Sequence, residues 1–142
     1  MDSHYNLNYT KESVSTILEN IKDCVRNKRY IISLNEKREE NIDFIERHEL
    51  DTEEIEMILL DIDVDDFCHS LKNKKRGREN ETLYVFIPRV PLREDNVERE
   101  VNIYTKFNPV SGPDGSMVIV ISFHEANKPF RYLFGDKKGA RS

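Results

Sequence analysis

The hydrophobic period of the chain changes once, near Leu71. Before that point apolar residues recur at three- and four-residue intervals; after it they alternate in twos or run on without a break. The first spacing lines one side of a helix and the second lines a strand. The chain must therefore set a helical half beside a sheet, and its 142 residues suit one such core.

Val14, Ile17, Leu18, Ile21, Cys24 and Val25 predict an amphipathic helix over 11–28, with Thr10 as N-cap. Tyr30-Ile31-Ile32-Ser33 reads as an extended or buried connector. Asn35 is placed to cap a second helix over 36–48, with Ile42 and Ile45 inward and Phe44 flanking. Asp51 with Glu54 forms a capping-box pattern opening a third helix over 52–61. Asp63 with Asp66 repeats the cue for a short fourth, with Val64, Phe67, Cys68 and Leu71 inward. Strands are expected over 82–89, 97–107 and 116–124, the last two joined across the turn-rich stretch 108–115. Residues 129–134 add a short edge strand or wrap the core. The expected fold is α+β, with N-terminal helices packed on an antiparallel sheet of at least three strands. The expected division is a flexible N-terminus (1–9), one domain over 10–135 (helical 10–71, sheet 82–135) and a flexible tail (136–142).

The net charge of −5 conceals an asymmetry. Residues 1–71 hold 8 cations and 18 anions, a charge of −10, whereas residues 72–142 hold 14 cations and 9 anions, a charge of +5. A basic half on an acidic chain suggests one surface for a polyanion. Nine acids and no cation fall within 49–66, where two helices start. Acids there serve as caps and complement the helix dipole, or offer a negative face to a basic partner.

Several classes fall away. No apolar run approaches the 18–20 residues of a membrane span, and the N-terminus does not read as a leader. Cys24 and Cys68 form no Cys-x-x-Cys pair and no zinc spacing with histidine, which fits a reducing cytoplasm. Only 5 glycines are present, with no phosphate-cradling loop and no nucleophile elbow.

Chemistry-bearing residues concentrate around the basic half. His69 precedes the basic turn 72–78, and His124 ends the long apolar run. Histidine titrates near neutrality and suits proton transfer. Lys72, Lys74, Lys75 and Arg76 in the turn, with Arg89, Lys106 and Arg131, are candidate phosphate ligands; Tyr104 and Tyr132 are candidate aromatic contacts. Histidines, tyrosines and cations without a carboxylate cage point to RNA cleavage needing no metal or other cofactor. In that reaction the ribose 2′-hydroxyl attacks the adjacent phosphate under acid–base catalysis.

The motifs Tyr30-Ile31-Ile32-Ser33, Glu54 to Ile62, Asp66-Phe67-Cys68-His69-Ser70, Thr82-Leu83-Tyr84, Val101 to Lys106 and Val120 to His124 stand in a familiar order. Over about residues 10–130 the chain resembles the motility quorum-sensing regulator (MqsR) toxins of the RelE-like group of type II toxin-antitoxin systems. The resemblance implies a RelE-like fold, metal-independent endoribonuclease (mRNA interferase) activity in the cytoplasm, and a cognate antitoxin partner besides the RNA substrate. Residue by residue, the family's two functional cations fall on His69 and His124, where its type member has lysine. Its tyrosine falls on Asn102 or, with a two-residue shift, on Tyr104, and Val85 stands in place of a glutamine. The implied catalytic set is His124, His69 and Tyr104. A non-catalytic protein-binding or regulatory module on a toxin-like fold is the competing reading.

Overall fold

The computed structural model describes residues 5–35, 38–112 and 115–135. His4 and the tail 136–142 lie outside the described residues. Three helices, α1 (Lys11–Arg26), α2 (Glu39–Arg47) and α3 (Thr52–Leu60), pack on a sheet built from β1 (Tyr30–Ile32), β2 (Phe67–Lys72), β3 (Thr82–Phe86), β4 (Arg89–Glu94), β5 (Val97–Gly112) and β6 (Gly115–Glu125). The order is β1-β6-β5-β3-β2, with β4 pairing β5 off this path. The architecture is α+β, but the sheet is mixed: β1 runs parallel to β6, and the other pairs are antiparallel.

Local chemistry explains the helix starts. Thr10 and Ser13 cap α1 reciprocally, and Asp51 and Glu54 do the same for α3. The α1 stripe Val14, Leu18, Ile21, Cys24 and Val25 is buried against the sheet face carrying Phe86, Ile103, Phe107, Val118, Val120 and Phe123. Helix α2 starts later than its sequence suggests, after Arg38 and without a side-chain cap, so Asn35 does not cap it. Its buried residues are Asn41 and Phe44, a stripe rotated from the expected Ile42 and Ile45. Asn41 is the reason for the rotation, because its amide is drawn to the backbone of β6.

The expected fourth helix is instead one 3-10 turn, Val64–Asp66, capped by Asp63 and followed directly by β2. The helix-like spacing of Val64, Phe67, Cys68 and Leu71 arises because β2 buries side chains on both faces. Strands β1 and β2 therefore extend the sheet into the half expected to be helical. The strand expected over 82–89 breaks at Ile87-Pro88 into β3 and β4. Asp95 and Asn96, both at positive φ (52° and 64°), close the β4–β5 hairpin with the twist such turns favour. Residues 129–134 form no strand. They wrap the sheet end, with Leu133 N–H donating to the Phe67 carbonyl and the Tyr132 hydroxyl to that of Ile87.

Candidate functional site

The sheet has a second, outer face, and two β-bulges decide what stands on it. On β6, Val118, Val120 and Phe123 all enter the core. Strict alternation would send Val120, Ser122 and His124 to one side. The register slips instead between Lys106 and Phe107: Phe107 pairs Val120 and Lys106 pairs Ser122, which leaves Ile121 as the extra residue. After the slip Phe123 points to the core, and Ser122 and His124 point outward. On β2 the register slips between Phe67 and His69, with Cys68 as the extra residue. Phe67 lies in the core, while His69 pairs Val85 on the outer face. Each histidine thus follows a bulge that turns it from the helices, a common use of bulges beside functional sites.

Asn41 of α2 pins the β6 bulge. Its amide nitrogen donates to the Ile121 carbonyl at 3.0 Å and the Ser33 carbonyl at 2.9 Å. Its amide oxygen accepts from Phe123 N–H at 2.8 Å. A bulge leaves ladder groups unpaired, and one buried amide satisfies those on either side of it.

With this register His69, Val85, Lys106 and Ser122 form one row across the sheet, because directly paired residues share a face. Tyr104 and His124 form the next row, their rings stacked at 5.5 Å and 24°. Arg89, opposite Asn102, extends the same face; its Nε donates to Asn102 Oδ1 at 3.2 Å, and its guanidinium meets Glu100 at 3.6 Å. The His124 Nδ1 lies 3.0 Å from the Glu125 carbonyl, and its Nε2 faces the Glu40 carboxylate at 4.0 Å. Asn127 holds the other Glu40 oxygen at 2.9 Å.

The electrostatics are those of a half-buried cationic patch. Burial, then the Arg38 guanidinium, pulls the Lys106 ammonium below the usual lysine range. Burial, then the nearby Tyr5 and Cys68, pushes the Tyr104 phenol up to about 12, while Arg38 pulls the other way. Tyr104 is therefore a neutral hydrogen-bond donor at physiological pH. Among the described residues neither Arg38 nor Lys106 is ion-paired. Cations desolvated without a carboxylate partner favour an anion arriving from outside.

Other predicted residues lie elsewhere. Lys72, three residues beyond His69, points to the opposite face, where its Nζ reaches Thr82 Oγ1 at 3.4 Å. Lys74, Lys75 and Arg76 sit in the β2–β3 loop, at the sheet end away from Tyr104 and His124, so the structure does not bring the basic turn to this patch. That loop is organised by Glu81, whose carboxylate accepts from Asn108 and Asn73 and pairs Arg78. Arg131 is exposed. Tyr132 is half-buried in the apolar patch with Cys68, Val85, Ile87 and Tyr104, and its hydroxyl is engaged by the backbone.

His69 and His124 share the face but stand three strand spacings apart, about 14 Å between backbones. They are too far apart to act as acid and base on one phosphate. Three contributors escaped the sequence reading: Arg38, Glu40 and Tyr5, which stacks on His69. Arg38 and Glu40 come from the acidic half, at the start of α2, and Tyr5 from a segment without periodicity. No local pattern marks any of them.

Among the described residues no group of three or more His, Cys, Asp or Glu is arranged to hold a metal ion, and no helix is long and apolar enough to cross a membrane. No known family model, curated protein or solved structure matches the chain.

Proposed function

We propose that this outer face is the centre of a toxin-type, metal-independent endoribonuclease on a RelE-like fold, acting in the cytoplasm and held in check by a cognate antitoxin. The observation that carries the reading is Lys106, a half-buried cation without an acidic partner among the described residues, next to the stacked Tyr104–His124 pair and near Arg38. A scissile phosphate is the anion that suits this patch. The Glu125 carbonyl can only accept, so in the neutral imidazole of His124 the hydrogen sits on Nδ1 and Nε2 is the acceptor, the tautomer a general base requires. Nε2 accepts the proton of the ribose 2′-hydroxyl as the 2′-oxygen bonds to phosphorus. Glu40 stands ready to pair with the imidazolium so formed. Lys106, its acidity enhanced, stabilises the charged phosphorane and protonates the departing 5′-oxygen as the P–O5′ bond breaks. The neutral Tyr104 donates to a phosphoryl oxygen. The products are a 2′,3′-cyclic phosphate and a 5′-hydroxyl. His69, too distant to share that phosphate, serves the flanking nucleotide.

The test is purified protein with single-stranded RNA in excess chelator. Cleavage with 2′,3′-cyclic ends is expected, falling about 100-fold or more in His124→Ala and in Lys106→Met. Cleavage that is abolished by chelator, or unchanged in both variants, overturns the assignment.

A further inference from the structure

Residues 5–9 run along the free edge of β2. Asn6 N–H donates to the Ser70 carbonyl at 2.8 Å and Ser70 N–H to that of Asn6 at 3.1 Å, a lone bridge. Beyond it Tyr9 is firmly seated: its hydroxyl meets Ser70 Oγ at 2.7 Å, and its ring packs edge-on against Phe67 and Tyr84. Before it Tyr5 is not in the core. Its ring lies flat on the His69 imidazole, centroids 3.6 Å apart and planes 10° from parallel, with 41% of Tyr5 exposed. His69 itself is 8% exposed. Parallel stacking at this distance is how an aromatic platform receives a nucleobase. The fully buried Val85 forms an apolar floor between His69 and Lys106, two strand spacings or about 10 Å across.

We propose that the His69 imidazole is a nucleobase-stacking subsite, and that Tyr5 occupies it in the free protein until RNA takes its place. The subsite receives the base flanking the phosphate held at Lys106, and so rests on the reading above. It assigns His69 to binding rather than to proton transfer. Among the described residues before Tyr9, the Asn6–Ser70 bridge and the ring stack tie the chain to β2, which places the hinge between Asn6 and Tyr9. Exchange replaces one stack by another, so the cover leaves without disturbing the core.

The experiment uses the full chain and a labelled hexanucleotide of 2′-O-methyl RNA, which cannot be cleaved, with binding read by fluorescence anisotropy. Amide hydrogen exchange at Ser70 reports the bridge. Tyr5→Ala removes the competitor and is expected to tighten binding about fivefold. His69→Ala is expected to weaken it about fivefold or more, and His69→Phe, which keeps a flat ring but cannot carry a proton, to restore it to within about twofold. The oligonucleotide should speed Ser70 exchange in the wild type. Weaker binding by Tyr5→Ala would make Tyr5 part of the RNA site and overturn the proposal. So would equal affinities for His69→Ala and wild type, or binding that leaves Ser70 exchange unchanged. If the variants shift affinity as expected but unmodified RNA is not cleaved, the nuclease reading falls and the subsite stands. If cleavage proceeds with affinity indifferent to Tyr5 and His69, the subsite falls and the nuclease reading stands.

Discussion

Replacing Asn41 should do more damage than its single side chain suggests. Asn41 is fully buried and makes three hydrogen bonds, to the Ser33 and Ile121 carbonyls and from Phe123 N–H. Asn41→Ala removes all three and leaves two carbonyls and one amide without that partner. An unsatisfied buried group costs about 1–3 kcal/mol, so the sum is about 3–5 kcal/mol after some relaxation. That is a large part of the 5–15 kcal/mol typical of a domain (roughly). In urea, with a slope of about 2 kcal/mol per molar, the midpoint should fall by about 2 M at unchanged slope. Asn41→Asp discriminates the cause. It conserves volume and keeps the acceptor for Phe123, but it sets a carboxylate oxygen against two carbonyls. Hydrogen bonding therefore predicts that Asp is at least as damaging as Ala, whereas packing alone predicts that it is milder. An NMR contact between the Tyr104 and His124 rings reports whether the bulge survives. A loss below about 1 kcal/mol in Asn41→Ala, with that contact intact, would refute the claim that Asn41 holds the register.

Lys106→Met, expected to slow cleavage about 100-fold or more, should make the protein more stable at pH 7. The fold disfavours the Lys106 ammonium, and the gain should shrink as pH rises through the lysine's lowered pKa. The Glu56 carboxylate is held below the usual range by Lys28, then by Tyr30. Its contribution is complete above the ordinary glutamate pKa and is lost as acid carries pH down through the folded value, so Glu56→Gln should flatten that limb of a stability–pH curve. Tyr30, pushed up to about 12 chiefly by burial and then by Glu56, contributes in the opposite sense. Its contribution is present below pH ~10 and is lost between there and about 12, so Tyr30→Phe should blunt alkaline unfolding. The Cys68 thiol, raised to about 12 by burial and then by Asp66, should not react with a disulfide reagent at pH 8 until denaturant is added.

Much of the helical half was legible because its cues are local. The α1 stripe and the Asp51–Glu54 box each lie within one element. The split of charge was legible too, but it misleads about the outer face, which draws Arg38 from the acidic half and leaves Lys74, Lys75 and Arg76 aside. What was hidden is register. A bulge inside an apolar run such as 116–123 changes no residue type, yet it reverses which side His124 faces. At Cys68 the bulge also disguised a strand as a helix. Both bulges concern backbone groups, and the Ile121 bulge is secured by Asn41, 80 residues away in sequence.

The parallel pairing of β1 with β6 bears on the order of folding. Tyr30 pairs Val118, so β1 cannot join the sheet until the chain has been made as far as β6. The pairing needs one of the longest loop closures in the molecule, and such closures come slowly. Until then α1 and α2 have no β6 to cover, and the apolar stripe of α1 stays open to unwanted association. The strand that completes this core also carries His124 to Tyr104. A chain that stops short of β6 therefore lacks the stacked pair at the centre of the patch, and assembly of the site coincides with closure of this sheet.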